Sequence, residues 1–453
     1  MRTGKRLLAM LLSAALLLAS GCTVTTEDQG GSQEAQPPEA SASEPAGEES
    51  EEPQEGVTTI NYWSHNGEQF IEANKQIIAK FEEQNPDIKI KYDIFPFNEL
   101  QEKMKASYAA GAESDCQQIF GTWAVQYTKN GMFSEVPFLT MDQVKESYFE
   151  PTYAGYTYED KLYGLPREFS IENGGVLYYP EDLKAAGYDE FPKTYDELID
   201  AAKKCTQYDS GGNITHVGFD MFGPDNVPYT FISFLLQYGG NYWTEDGHVN
   251  FTSPESIKGM QSLVDLVLTH KVTDTKHISE SDDLSEYFFK GNASMCIIGP
   301  WTIATGVNQF GLDNFDYGLM PSIANDSYAF ASPTGWGEVV SARSKNLEAT
   351  WKFIEFATNE ENSLLFNDVT YTVPAQKAVA NSPEFLEKKP MLAPSIKVLP
   401  EGIPIGPFPN APFFKKTVYD HFVRICNGEE TVEQACENIE NEINRDIDDS
   451  KLS

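Results

Sequence analysis

Between Thr58 and Phe120 the apolar residues switch repeatedly between two periods, and no other feature of the chain restricts the fold as strongly. Thr58-Thr59-Ile60-Asn61-Tyr62-Trp63 reads as a strand. From Glu68 to Gln84, Phe70, Ile71, Ile77, Ile78 and Phe81 recur at helical spacing. Asn85-Pro86 stops that helix, because the residue before a proline avoids helical backbone. Ile88, Ile90, Tyr92 and Ile94 then alternate with polar residues as a half-buried strand does. Glu99 to Ala110 forms a second helix ending at Gly111. Cys116 to Phe120 is a third strand, with Gly121-Thr122-Trp123 expected as the loop after it. A β-α-β-α-β opening predicts a parallel sheet with helices on its faces. Ligands of such sheets bind beyond the carboxyl ends of the strands. Trp63-Ser64-His65-Asn66 and Gly121-Thr122-Trp123 are expected there.

The later chain continues the mixture. Leu162 to Glu168 is extended and Gly174 to Tyr179 is a strand. Thr194 and Glu197 have the spacing of a capping box before a helix. Phe231 to Tyr238 and Pro254 to His270 are helical. Ala293 to Ile298 is a strand ending at Gly299-Pro300-Trp301, and Glu338 to Ser341 is another. Ala349 to Ala357 is an amphipathic helix with Trp351 on its core face, and helices from Pro412 and from Thr431 close the chain.

Residues 1–21 read as a signal peptide. Arg2, Lys5 and Arg6 precede a 12-residue apolar run, Leu7 to Leu18, too short to span a bilayer. Leu18-Ala19-Ser20-Gly21-Cys22 resembles a bacterial lipobox, which implies diacylation of Cys22, cleavage before it and an N-terminal acyl cap. Two or more acyl chains anchor stably where one does not. Residues 22–56 then hold ten acidic residues and no Lys or Arg among Ser, Pro, Gly, Ala and Gln. Such a segment buries too little apolar surface to offset its ordering entropy, so a disordered acidic linker is expected.

The 397 residues from Val57 suffice for two domains. A formal net charge of −36 argues against nucleic-acid binding, which needs clustered Lys and Arg, and it disfavours strongly anionic ligands. Apart from Cys22 there are five cysteines, with no CxxC and no metal spacing; Cys426 and Cys436 flank a turn and could meet. No metal site is expected, because the six His show no metal-ligand pattern, and no cofactor, because nucleotide-binding loops are missing; a nucleophile elbow is missing too.

Several stretches together carry a family resemblance. Besides the lipobox and Tyr62-Trp63, they are Phe81-Glu82-Glu83-Gln84-Asn85-Pro86-Asp87-Ile88 and Lys161-Leu162-Tyr163-Gly164-Leu165-Pro166. Further on come Phe289-Lys290-Gly291-Asn292-Ala293-Ser294-Met295, Gly299-Pro300-Trp301, Pro333-Thr334-Gly335-Trp336-Gly337 and Ala349-Thr350-Trp351-Lys352-Phe353-Ile354. In this order they resemble the extracellular solute-binding proteins of sugar ABC transporters, the family that includes maltodextrin-binding protein. The resemblance implies a two-lobed periplasmic-binding-protein-like α/β fold of type II. Each lobe would be a mostly parallel sheet flanked by helices. Residues 57–168 plus 333–378 would form the N-terminal lobe and 169–332 plus 379–453 the C-terminal lobe. Crossings are expected near Pro166 to Asn173, Ser332 to Gly337 and Ala375 to Pro383. It further implies a monomer on the outer face of the cytoplasmic membrane, held by lipid alone, that closes on a sugar, expected to be an oligosaccharide, and presents it to permease subunits.

A sugar needs aromatic platforms for its C–H faces and hydrogen-bonding groups around its rim. Trp63, Trp123, Trp301 and Trp336 stand at predicted strand ends or loops and are the candidate platforms. Trp243 is read as structural. Replacing Trp301 or Trp336 by alanine is expected to weaken binding with little loss of fold. His65, Asn66, Arg167, Glu168 and Glu338 are candidate polar partners, with Asn173 a weaker one. Tyr229 lies where the family offers an aromatic from the second lobe. No residue is assigned a catalytic role. A lipid-anchored glycoside hydrolase is the enzyme alternative, since carboxylates are abundant enough for a spaced pair. A surface carbohydrate-binding adhesin is the third class.

Overall fold

The opening alternation folds into β1 (Thr58–His65), α1 (Glu68–Gln84), β2 (Ile88–Phe95), α2 (Phe97–Ala110) and β3 (Cys116–Phe120). The computed structural model describes residues 56–169, 174–221, 223–280, 284–324, 327–332, 334–406 and 408–451. The leader, Cys22 and the linker to residue 55 lie outside the described residues, as does Asn173.

The segment after β3 departs from expectation. It is a helix, α3 (Gly121–Lys129), not a loop, because Ala124 and Tyr127 turn a buried face to the core. Then follow β4 (Gly164–Pro166), β5 (Gly175–Tyr178), α4 (Tyr195–Cys205), β6 (Asp220–Met221), α5 (Gly223–Gln237) and α6 (Pro254–Leu268). Next come β7 (Met295–Ile297), α7 (Thr302–Asn308), β8 (Asp316–Leu319), β9 (Trp336–Val340), α8 (Leu347–Ala357) and α9 (Glu360–Thr370). The helices α10 (Ala411–Cys426) and α11 (Val432–Lys451) end the described chain. The capping box before α4 is present, with Thr194 Oγ1 accepting from the Glu197 amide at 3.2 Å and the Glu197 carboxylate accepting from the Thr194 amide at 3.2 Å.

Two sheets organise these elements. The first runs β2-β1-β3-β9-β4 and the second β6-β7-β5-β8. The first three strands of the chain pair in parallel, as βαβ units require. β9 is antiparallel to both β3 and β4, and β5 is antiparallel to both β7 and β8. The sheets are therefore mixed where mostly parallel ones were expected. The reason lies in the chain path: it leaves the first sheet after Pro166, builds the second, and returns at Trp336. A strand arriving from another sheet needs no crossover helix and can pair in either sense.

Each sheet has its own core. Ile60, Ile119, Val339, Phe353 and Phe366 pack around the first. In the second, the two-residue period of β5 sends Val176 into a cluster with Ile232, Leu263 and Phe422, and Leu177 into another with Phe288, Ile303 and Leu399. Trp351 is buried in the first core, and Trp243 packs on Phe408 at 5.3 Å, a structural position. All five cysteines of the described region are free thiols, so Cys426 and Cys436 are not joined.

The crossing back into the first sheet is tight. Gly335 lies so close to Glu168 that a Cβ would meet its carbonyl oxygen at 2.2 Å. Thr334 beside it has a φ of 74°, costly for a β-branched residue.

Candidate functional site

The strand ends of the first sheet open into a cavity of about 460 Å³. β1 delivers His65, followed by Asn66 and Gly67, and the first turns of α1 add Gln69 and Phe70. β2 leads into α2, whose Phe97 and Gln101 face the cavity. β3 ends at Phe120, and α3 contributes Thr122 and Trp123. Trp336 enters from the start of β9. The opposite side carries Tyr229 of α5, Trp301 before α7, and Ala411, Pro412 and Lys415 of α10. Gln69 Nε2 donates to the Trp301 carbonyl at 3.5 Å and Gln309 Nε2 to Glu68 at 3.1 Å, so the elements of the two sheets touch at this rim.

Trp336 is the post around which the aromatic wall stands. One face stacks on His65, with centroids 4.2 Å apart and planes at 27°. Phe120, Trp123 and Phe97 meet it nearly edge-on at 5.5, 5.6 and 5.9 Å. Such perpendicular contacts suit the ring quadrupoles. The Trp336 amide donates to Glu168 Oε1 at 2.5 Å and its carbonyl accepts from the Arg167 amide at 3.0 Å. With 7% of its surface exposed, Trp336 supports the site more than it offers a free face.

His65 is held from two sides. Its Nδ1 accepts from the Gly67 amide at 3.1 Å, which places the ring hydrogen on Nε2, and Phe70 lies 4.5 Å from its centroid. Burial lowers its pKa from 6.5 to about 3, so the ring is neutral at neutral pH. In the unfolded chain it titrates near ~6.5 and takes up a proton first on acidification. The stability contributed by the neutral ring is complete above that value. It falls as the pH drops, by about 1.4 kcal/mol per unit until the folded value is passed. Urea unfolding of the parent and of His65→Gln should therefore converge by about 2 kcal/mol between roughly pH 6 and pH 4.5. Parallel pH profiles for the two would contradict the buried neutral ring.

Of the expected site residues, His65, Asn66, Trp123, Tyr229, Trp301 and Trp336 line the cavity. Trp63, Arg167, Glu168 and Glu338 do not, and each has a physical reason to stand elsewhere. β1 runs on to His65, two residues past Trp63, which leaves that indole inside the sheet against Phe95 at 5.5 Å, with Lys103 Nζ 4.8 Å from its centroid. Glu168 is fully buried and accepts from the backbone of the returning strand. Arg167 Nη1 donates to Glu338 Oε1 at 3.0 Å and to Asn74 Oδ1 at 2.7 Å, and its guanidinium lies 3.7 Å from the Phe366 ring centroid. Tyr62 donates to Glu338 Oε1 at 2.8 Å. Burial pushes the Glu338 carboxyl up, and the Arg167 charge and the Tyr62 hydroxyl oppose that shift. These residues fasten the crossing segments to the first sheet. Phe97, Gln69, Gln101 and Lys415 line the cavity without having been singled out in the sequence, and Thr122 lines it as part of the expected Gly121-Thr122-Trp123 segment.

A larger hollow of about 690 Å³ runs along β8, between Tyr178, Phe191, Tyr328 and several prolines, and opens more widely to solvent. It lies at a sheet edge, away from the strand ends where ligands of α/β sheets bind.

Residues 76–394 match the family model described as bacterial extracellular solute-binding protein. The chain belongs to this family of solute-binding proteins. Among relatives, the galactooligosaccharide-binding protein of Bacillus subtilis is 27% identical over 70% of this chain and 72% of its own. The sn-glycerol-3-phosphate-binding periplasmic protein UgpB of Salmonella typhimurium is 25% identical over 84% of this chain and 90% of its own. Maltose-bound MalE3 of T. maritima superposes with a TM-score of 0.72 at 23% identity, over 85% of this chain and 99% of that one. That likeness establishes the two-lobed binding-protein fold. In a solute-binding protein of this architecture the aromatic-walled cavity is the candidate ligand site.

Proposed function

We propose that the chain is the extracellular binding component of an ABC importer, that it captures a neutral oligosaccharide between its two sheets, and that it delivers the sugar to permease subunits. One observation carries the reading: a cavity at the carboxyl ends of the first sheet is walled by Phe97, Trp123 and Trp336, and is faced from the other side by Tyr229 and Trp301. Aromatic faces with amide and hydroxyl groups between them are what sugar rings require. Relatives named for galactooligosaccharide and arabinooligosaccharide binding, and a structural neighbour solved in complex with cycloalternan, support the same class. Among the described lining residues there is no Asp or Glu, which supports capture over glycoside cleavage. A Ser–His–Asp grouping in the second lobe supports no hydrolase either. There the Asp182 carboxylate accepts from Ser294 Oγ itself at 2.7 Å, on the same hydroxyl that meets His216 Nε2 at 2.8 Å. A triad needs the carboxylate on the far imidazole nitrogen.

We assign residues 57–168 with 333–378 to one lobe and 169–332 with 379–453 to the other, with hinge closure about the crossings. Cys22 is the acylated anchor, the acidic linker spaces the lobes from the outer face of the membrane, and the mature chain acts as a monomer. Thermal shift against a glycan panel tests the class: a bound sugar raises Tm in proportion to the logarithm of its excess over Kd and is recovered intact. Cleaved sugar, or no shift with any glycan, rejects it. With saturating ligand, small-angle scattering should show a smaller radius of gyration; an unchanged value rejects closure.

A further inference from the structure

Phe97 is 47% exposed and stands in the wall of the candidate site. Exposed large apolar side chains inside a concavity mark contact surfaces, since they leave water only when something covers them. Pro96 precedes it and sets the start of α2, so the ring projects from the first residue of a helix and not from a loose loop. Its neighbours hold it without covering it: Trp123 lies 5.2 Å away at 56° and Trp336 5.9 Å away at 84°. Trp336 cannot serve in its place, because His65 stacks on one face, Phe120, Trp123 and Phe97 crowd it at near-perpendicular angles, and only 7% of its surface is exposed.

We infer that Phe97 is a specificity-determining platform for the ligand, and that with Trp123 it forms a two-faced aromatic corner taking the C–H faces of consecutive rings of a neutral oligosaccharide. This rests on the sugar-capture reading above. Two planes inclined at 56° match a bent chain of rings better than one flat ring. Trp336 behind the corner fixes its angle.

The test uses the full mature chain with maltotriose, β-1,4-galactotriose and α-1,5-arabinotriose, titrated calorimetrically into the parent, Phe97→Ala and Phe97→Tyr. For the trisaccharide that the parent captures, Phe97→Ala should bind about fivefold to tenfold more weakly at an unchanged Tm, and Phe97→Tyr within about twofold of the parent. An alanine variant that binds like the parent overturns the inference and leaves sugar capture standing, as does a tyrosine variant that loses as much as alanine. Where none of the three binds, the glycan that shifts Tm in the panel above takes their place, and a parent that captures no glycan of that panel removes the reading on which the inference rests, and the inference with it.

Discussion

Arg167→Met should lose about 3 to 5 kcal/mol of folding stability, the cost of leaving a buried carboxylate without its cation. The guanidinium and the Glu338 carboxylate each keep 1% of their side-chain surface exposed, and they meet at 3.0 Å. Through them are joined β1 by Tyr62, α1 by Asn74, α8 by the Ala357 carbonyl and α9 by Phe366. Without Arg167, only the Tyr62 hydroxyl still opposes burial at Glu338, whose pKa is already raised above the ordinary carboxylate value. The folded variant would then hold a proton that the unfolded chain releases. Its stability should fall as pH rises above the ordinary carboxylate value, so the deficit is larger at pH 8 than at pH 5. Glu338 Oε2 has no hydrogen-bond partner among the described residues, so the pair is incompletely satisfied. Removing both charges, in Arg167→Met with Glu338→Met, should therefore recover most of the loss. Urea titrations at the two pH values decide the matter; a single variant within about 1 kcal/mol of the parent would show that the pair does not clamp the crossings.

Trp336→Ala should be nearly as damaging, and it should act on fold and site together. Truncating a buried tryptophan costs about 3 to 5 kcal/mol, from lost transfer energy and the void left behind. Here the void would lie between His65, Phe120, Trp123 and Phe97, so the wall would collapse inward. Affinity for a captured sugar should drop more than about tenfold even where the variant is fully folded. Trp301→Ala, at a half-buried position on the facing side, should weaken binding with little change in Tm. The sequence had suggested that both variants spare the fold; burial separates them. Equal Tm values for the two would contradict the role of Trp336 as a post.

The opening sheet was legible because its helices and strands bury opposite periodicities within a short span of chain. The capping box at Thr194 was legible because its partners stand three residues apart. The rule that ligands sit beyond strand ends pointed to His65, Asn66 and Trp123, which line the cavity. Applied to β2 as well, it would have found Phe97, which follows Phe95-Pro96 and looks like strand exit in one dimension. Other placements depend on three-dimensional partners. Arg167 and Glu338 are 171 positions apart, and nothing local to either shows that they neutralise each other. Trp63 stands away from the cavity because the strand runs two residues past it. Lys415 lies on α10, whose helical period says nothing of which cavity its first turns reach.

The unpaired thiols have a practical consequence. Burial holds Cys426 and Cys436 up at about 12 and raises Cys116, Cys205 and Cys296 as well. Thiolate is the reactive form, so all five stay poor nucleophiles at neutral pH. The folded region asks nothing of an oxidant as it matures. A single cysteine installed at exposed Asn66, on the rim of the gap, would thus take a fluorescent label against a silent background and turn the molecule into a reagentless optical sensor.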